Sequence, residues 1–262
     1  MKKSVKAWLI IAAALVVLGS FLFVGVMFSV NWDFSKIGTT QYEMNTYEIG
    51  EDFANISINT DTADIKFFLS EEGKCRVECF EEEKSKHEVM VQENTLVIKQ
   101  KEEKAWYDYI GVNFSPPKIT VFLPKAEFES IVVKESTGDI SFSKLFANTI
   151  DITLSTGDVF LRDISCKTLT STANTGEIEL ENVIALEKIN IKRSTGDVEF
   201  TDCDAAEIFV DTDTGDVEGS LLSPKVFITQ TSTGKIDVPK TTAGGRCEIT
   251  TDTGDIKITT SK

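Results

Sequence analysis

Apolar and polar positions alternate along most of this chain, and from residue 131 onward the alternation itself recurs. Seven near-copies of one five-residue phrase mark the period: Ser136-Thr-Gly-Asp-Ile140, Ser155-Thr-Gly-Asp-Val159, Asn174-Thr-Gly-Glu-Ile178, Ser194-Thr-Gly-Asp-Val198, Asp213-Thr-Gly-Asp-Val217, Ser232-Thr-Gly-Lys-Ile236 and Asp252-Thr-Gly-Asp-Ile256. Their glycines are 19, 19, 20, 19, 19 and 20 residues apart. Two places after each Gly stands Ile or Val, and four places after stand Phe142, Leu161, Leu180, Phe200, Gly219, Val238 and Ile258. Seven and five places before it, apolar residues again dominate, as in Ile131 and Val133 or Ile189 and Ile191. Apolar residues two apart lie on one face of a strand, so each unit reads as two short half-buried strands joined by a Thr-Gly turn.

A fixed period of this length means stacked repeat units. All seven glycines imply a backbone need, a positive φ at a tight corner. The 20-residue units place their extra residue between Val183 and Ile189 and between Thr241 and Cys247, so the second corner accepts insertion. The period fits either a hairpin array or a β-solenoid in which each unit is one coil. The like columns of Ile on Val, and a ladder of threonines from Thr137 to Thr253, favour the solenoid. The expected fold is therefore all-β, a parallel β-solenoid of 19–20-residue coils.

Before the repeats the pattern changes twice. Residues 8–30 are 23 uncharged, mostly apolar positions, about 34 Å as a helix and enough to cross a bilayer. Lys2, Lys3 and Lys6 precede them, which predicts residues 1–7 in the cytoplasm and the rest outside. A cleaved signal peptide is the rival reading. The length of the run and the lack of a small-x-small cleavage site favour an uncleaved single-pass anchor. Residues 31–52 read as a juxtamembrane linker, and 53–262 as the extracytoplasmic β-repeat domain. Asp61-Thr-Ala-Asp-Ile65 is the repeat phrase with Ala63 in place of Gly, a degenerate first coil. Residues 81–88 read as a charged loop that exposes His87. Val89 to Ile98 read as strand, turn and strand, with Asn94 able to adopt the glycine conformation. The insertion at 101–117 carries Trp106, Tyr107, Tyr109 and Phe114, the candidate partner-binding loop; the alternative is a lid over the solenoid.

Charge and chemistry narrow the function. Past residue 30 the chain carries 24 basic against 42 acidic residues, a net charge of −18 that argues against nucleic acid or an anionic lipid surface as partner of the domain. Cys203 and Cys247 occupy apolar columns and read as small buried hydrophobes. No cysteine spacing suits a metal finger, and with one His in the chain no zinc site is expected. The column Asp139, Asp158, Glu177, Asp197, Asp216, Lys235, Asp255 could hold calcium between coils, but Asp after Gly is also ordinary turn chemistry, and Lys235 interrupts the row. The carboxylates recur without a distinguished pair, Arg162, Arg193 and Arg246 are scattered, and phosphate-loop and nucleophile-elbow motifs are absent. The expectation is no catalytic residue and no cofactor.

An N-terminal membrane segment, the step from Ile119 to Pro124, and reiterated Ser-Thr-Gly-Asp-Ile phrases together resemble the bacterial "putative-adhesin" domain family, formerly a domain of unknown function, which includes LiaG-type envelope proteins. The resemblance covers residues 50–260. It implies an extracytoplasmic β-repeat domain that adheres to surfaces or serves envelope-stress systems, and it transfers no catalytic residue. Three functions are thus in play. They are a non-enzymatic cell-surface scaffold binding an envelope polymer or a membrane protein, a regulatory accessory of envelope-stress signalling, and an enzyme on envelope polysaccharide. Residues 259–262 offer little to cap the C-terminal end, so either solvent and short strands blunt that edge or a partner pairs with it, self-stacking being one form of such pairing.

Overall fold

Each Thr-Gly phrase forms a corner at which one coil of chain rests directly on the next. These corners appear in a computed structural model that describes residues 3–32, 41–101 and 116–261. The glycines of the phrase have φ between 132° and 158°. A Cβ on Gly157 would stand 2.1 Å from the Gly138 carbonyl oxygen, and one on Gly176 would stand 1.9 Å from that of Gly157. Glycine is therefore required twice, for a φ that side chains resist and for a backbone approach that a Cβ would block. The bonds at the corner run between coils. The Gly138 N–H donates to the Thr156 carbonyl at 3.1 Å, and the Ile140 N–H to the Asp158 carbonyl at 2.9 Å. The Asp158 N–H donates to the Asp139 carboxylate at 3.0 Å. Three such bonds, each contributing about 1 kcal/mol net, fasten the Asp158 corner to its neighbour, and the pattern recurs wherever an Asp precedes in the stack.

Between corners the chain is strand. In the N-terminal part the strands are β1 (Tyr42–Ile49), β2 (Asn55–Thr62), β3 (Asp64–Leu69), β4 (Cys75–Glu82), β5 (His87–Gln92), β6 (Thr95–Gln100) and β7 (Lys118–Leu123). The regular coils are β8 (Glu127–Thr137), β9 (Ile140–Thr156), β10 (Val159–Thr175), β11 (Ile178–Thr195) and β12 (Val198–Thr214). The last part holds β13 (Val217–Leu221), β14 (Lys225–Thr233), β15 (Ile236–Asp237), β16 (Gly245–Thr253) and β17 (Ile256–Thr260). From β8 to β12 all neighbours are parallel and in register, Ile140 beside Val159 beside Ile178 beside Val198. The fold is a β-solenoid, and the hairpin array does not describe the repeats. Each long strand bends at Lys144, Asp163, Asn182 or Asp202, all with φ of 52–57°. The extra residue of the 20-residue unit lies just beyond that bend, at the register shift between Ala185 and Lys188. Inside, Ile140, Val159, Ile178, Val198, Val217 and Ile256 form one fully buried column.

Both ends depart from sequence order. Ala63 of the degenerate phrase lies under Gly138, and β2–β3 fits between the β6–β7 layer and the first regular coil, pairing Ile56 with both Leu96 and Ile131. At the other end the last coil is also an insert. β16 pairs with β12 on one side and β14 on the other, and β17 lies between β13 and β15. The unit with Cys247, Ile249, Ile256 and Ile258, all buried, takes the doubly covered position. The more polar unit with Thr229, Thr231 and an exposed Ile236 takes the end, where Pro239, lacking an N–H, stops β15. The expected open end at the chain terminus is thus corrected: β17 pairs with β13 along its length and with β15 at Ile256 and Lys257, and the edge belongs to β14 and β15. Lys235 does not interrupt the acidic column but terminates it, its N–H donating to Asp255 at 2.7 Å.

The N-terminal end is closed by antiparallel strands. β4 pairs with β7 and β1 with β4 on one wall, and β5 pairs with β6 on the other. Tyr42–Ile49, in the stretch expected as linker, forms β1; its inward residues Glu43, Asn45, Tyr47 and Ile49 are too polar to show the alternation of a core strand. The β5–β6 turn has Asn94 at φ 61°, as expected. Separately, α1 (Lys3–Ser29) contains Trp8–Ser29, 22 residues of mean hydropathy 2.8, long and apolar enough to cross a membrane.

The degenerate first coil is tied to the next by Glu135, which is 5% exposed. Its carboxylate accepts the Ala63 N–H at 3.1 Å and a short hydrogen bond from the Thr60 hydroxyl. Burial pushes this carboxyl from 4.5 up to about 8, against the opposing pull of the Ala63 and Thr137 N–H groups.

Two outcomes follow. Gly196→Ala places a Cβ 2.0 Å from the Gly176 carbonyl oxygen at φ 141°, and should destabilise the domain by about 3 kcal/mol in denaturant unfolding. The exposed Lys192→Ala should stay within about 0.5 kcal/mol of wild type. Because folding raises the Glu135 pKa, its contribution to stability is complete below 4.5 and is lost as pH rises through about 8. Unfolding midpoints across that window should fall faster for wild type than for Glu135→Gln, by at most about 1.4 kcal/mol per pH unit; parallel profiles would contradict this.

Candidate functional site

Outward-facing residues on one wall form the most distinctive surface among the described residues. Alternation that points Ile65 and Phe67 inward turns Phe68 outward on β3, and likewise Phe122 on β7 and Arg76 on β4. Phe68 and Phe122 stack with ring centroids 6.0 Å apart. The Arg76 guanidinium lies 4.4 Å over the Phe122 ring, and its Nε is 3.2 Å from Glu78. These side chains border a depression of about 360 Å³ that also takes in Glu48, Glu71, Glu72 and Lys74. Phe68 also borders a second depression, of about 320 Å³, with Ser141, Ser143, Phe160, Arg162, Glu179 and Glu181. There Arg162 Nε is paired with Glu181 at 2.6 Å. The row crosses six adjacent strands, β4, β7, β3, β9, β10 and β11, or roughly 24 Å at the strand spacing. It offers flat apolar faces beside hydroxyls and charged hydrogen-bonding groups.

Trp106, Tyr107, Tyr109 and Phe114, the loop singled out from sequence, lie outside the described residues. The aromatic row is not visible in the sequence because it joins strands far apart along the chain, Arg76 meeting Phe122 only through an antiparallel pairing 46 residues apart. The acidic column has a structural task. Asp139, Asp158, Asp197, Asp216 and Asp255 each accept the backbone N–H of the following corner at 2.7–3.0 Å, which explains why Asp follows Gly. Like-charged neighbours and burial raise the Glu177 pKa, burial first.

Among the described residues eleven polar or charged side chains are buried. Arg193, 2% exposed, reaches over Ala173 to the Ser171 hydroxyl at 2.9 Å, and burial lowers its pKa to about 10. Ser171 and Ala173 are small where neighbouring coils carry Ile152, Leu154 and Ile191, which makes room for that side chain. All five cysteines are free and buried. Burial pushes Cys79 to about 12, with Glu81 adding to the rise, so it is not a ready nucleophile at neutral pH. His87 is not exposed in a loop but 5% exposed at the start of β5. It lies beside the fully buried Glu81, with Nδ1 2.6 Å from the carboxylate.

Comparison with known proteins gives the following. No curated protein sequence matches. Among solved structures, the "putative adhesin" of Bacteroides fragilis is 17% identical, with 84% of this chain and 97% of that chain covered and a TM-score of 0.46. A "putative cell adhesion protein" of Clostridium sporogenes is 12% identical, covers 85% and 100%, and has a TM-score of 0.40. A "putative lipid binding protein" of Parabacteroides distasonis is 17% identical, covers 86% and 98%, and has a TM-score of 0.37. Residues 53–262, most of the chain, match the family model Toastrack DUF4097. The chain belongs to the Toastrack DUF4097 family.

Proposed function

We propose that this is a non-enzymatic, membrane-anchored surface scaffold that binds a glycan of the cell envelope along the Phe68–Phe122–Phe160 row. The observation that carries this reading is the row itself. Sugar rings present flat C–H faces that stack on aromatic side chains, while their hydroxyls bond to charged and hydroxyl groups at the rim. Phe68 and Phe160 supply the stacking faces, Phe122 packs beside Phe68 under the Arg76 guanidinium, and Arg162, Glu179, Glu181 and Ser143 supply the hydrogen-bonding rim. A rigid stack of in-register strands holds them at fixed intervals, so little ordering entropy is lost on binding. The reading assigns no acid–base pair. Glu135, whose carboxyl is strongly perturbed, is occupied inside the wall by the Ala63 N–H and the Thr60 hydroxyl.

In this reading Trp8–Ser29 remains attached as the anchor, with the β domain outside the cell. Mass spectrometry of the protein extracted from membranes should find residues 1–30 still present; a mature chain starting after residue 29 would show a cleaved signal instead. For the site, the full-length protein in detergent micelles should bind purified cell-wall glycan, and Phe68→Ala with Phe122→Ala should weaken binding at least about ten-fold with an unchanged circular dichroism spectrum. Equal binding by the folded variant would remove this row as the site. Retention of membrane proteins but no glycan would favour the envelope-signalling role.

A further inference from the structure

The N-terminal closure brings together three side chains that the sequence keeps apart in character. Cys79 and Glu81 alternate on β4 and point to the same side, and His87 returns at the start of β5. All three are buried, at 0%, 0% and 5% exposure, and one donor atom from each lies within 4.8 Å of the others. Among the described residues no other group of His, Cys, Asp and Glu does this. The arrangement is held from outside. Asn45 on β1 donates to one Glu81 oxygen at 2.7 Å, and the His87 backbone N–H donates to the other at 2.6 Å. The Tyr47 hydroxyl donates to the His87 carbonyl at 3.2 Å.

The donor atoms follow from this packing. Nδ1 is the ring nitrogen that meets Glu81, 2.6 Å from a carboxylate oxygen, and the Cys79 sulfur completes the cluster. An ion held there takes the place of the hydrogen bond between Nδ1 and Glu81, and the ring proton then resides on the buried Nε2.

We propose that Cys79, Glu81 and His87 form a site for a divalent metal ion, zinc by the chemistry of its donors. A thiolate disfavours calcium and magnesium, whereas mixed sulfur, nitrogen and oxygen donors suit zinc. Donors on one tetrahedral zinc stand about 3.3–3.8 Å apart, so His87 Nδ1 and the Glu81 oxygen, now 2.6 Å apart, open slightly to admit the ion while the Cys79 sulfur stays within 4.8 Å of both. Three protein donors leave a fourth position for water. Binding releases the thiol proton to solvent. The consequence is mechanical. β4 belongs to the wall of β1 and β7, and β5 to the wall of β6 and β2, so the ion staples the two walls together where the solenoid begins.

The test uses the full-length protein in detergent, stripped with a chelator and titrated with Zn²⁺ and with Co²⁺. The expected result is one ion per chain, a higher unfolding temperature with Zn²⁺, and a thiolate-to-cobalt charge-transfer band with Co²⁺. Cys79→Ser should abolish the band, His87→Gln should weaken affinity at least about ten-fold, and Cys247→Ser, buried elsewhere in the solenoid, should change neither. Where Cys79→Ser does not fold, His87→Gln carries the same decision. Failure of the wild type to take up a stoichiometric ion, or an affinity indifferent to His87→Gln, would overturn the proposal.

Discussion

Backbone-on-backbone contact at the Thr-Gly corners governs how the coils stack. At each Thr-Gly corner two backbones meet so tightly that a single Cβ would stand about 2 Å from a carbonyl oxygen. That approach sets the coil-to-coil distance and allows strands on both sides of the corner to pair in parallel without a break. Only then do the apolar columns stack. The Asp that follows each Gly accepts the next corner's N–H, so a run of negative charge is retained for its acceptor oxygens, and Lys235 closes the run at its last member.

A stack of identical coils would leave a sticky layer at each end. This chain manages both ends by taking layers out of order. At the start, the first coil is covered by strands that come later, and antiparallel β1, β4 and β5 close the opening. At the finish, the most apolar late unit is drawn inside and a polar one is left as the edge, with only two residues in β15. The rigid wall between these ends is what gives the outward row of Phe68, Phe122 and Phe160 its fixed spacing. The closure at the start is what brings Cys79, Glu81 and His87 into one place.

The period, the glycine corner, the degenerate coil at Ala63, the Asn94 turn and the burial of Cys203 and Cys247 were all legible, because each is a local need written in the repeat or its turn. The layer order was not. Interchanging the last two units preserves every column, so periodicity cannot distinguish the arrangements; only the balance of Ile249 and Ile258 against Thr229 and Thr231 hints at which is covered. β1 was obscured because its inward face holds Asn45 and Glu43. His87 was misplaced for a related reason. Its neighbours Glu83, Lys84 and Lys86 read as solvated, although the register places His87 opposite Gln100 inside the end of the wall. Side chains facing outward carry no periodic signature, and the aromatic row emerges only once strand neighbours are known.

The central claim, that corner stacking orders the layers and draws the last coil inside, can be tested by cross-linking. Glu218 lies directly beside Lys257, and Asp237 lies beside Lys257 on the other side. Glu218 and Asp237 are therefore two strand spacings apart, roughly 9.6 Å, beyond disulfide reach. Paired cysteines at 218 and 257 should oxidise to an intramolecular disulfide in the folded protein, and a pair at 218 and 237 should remain free. A ready disulfide between 218 and 237, with none between 218 and 257, would mean that the coils stack in sequence order and would contradict the architecture described.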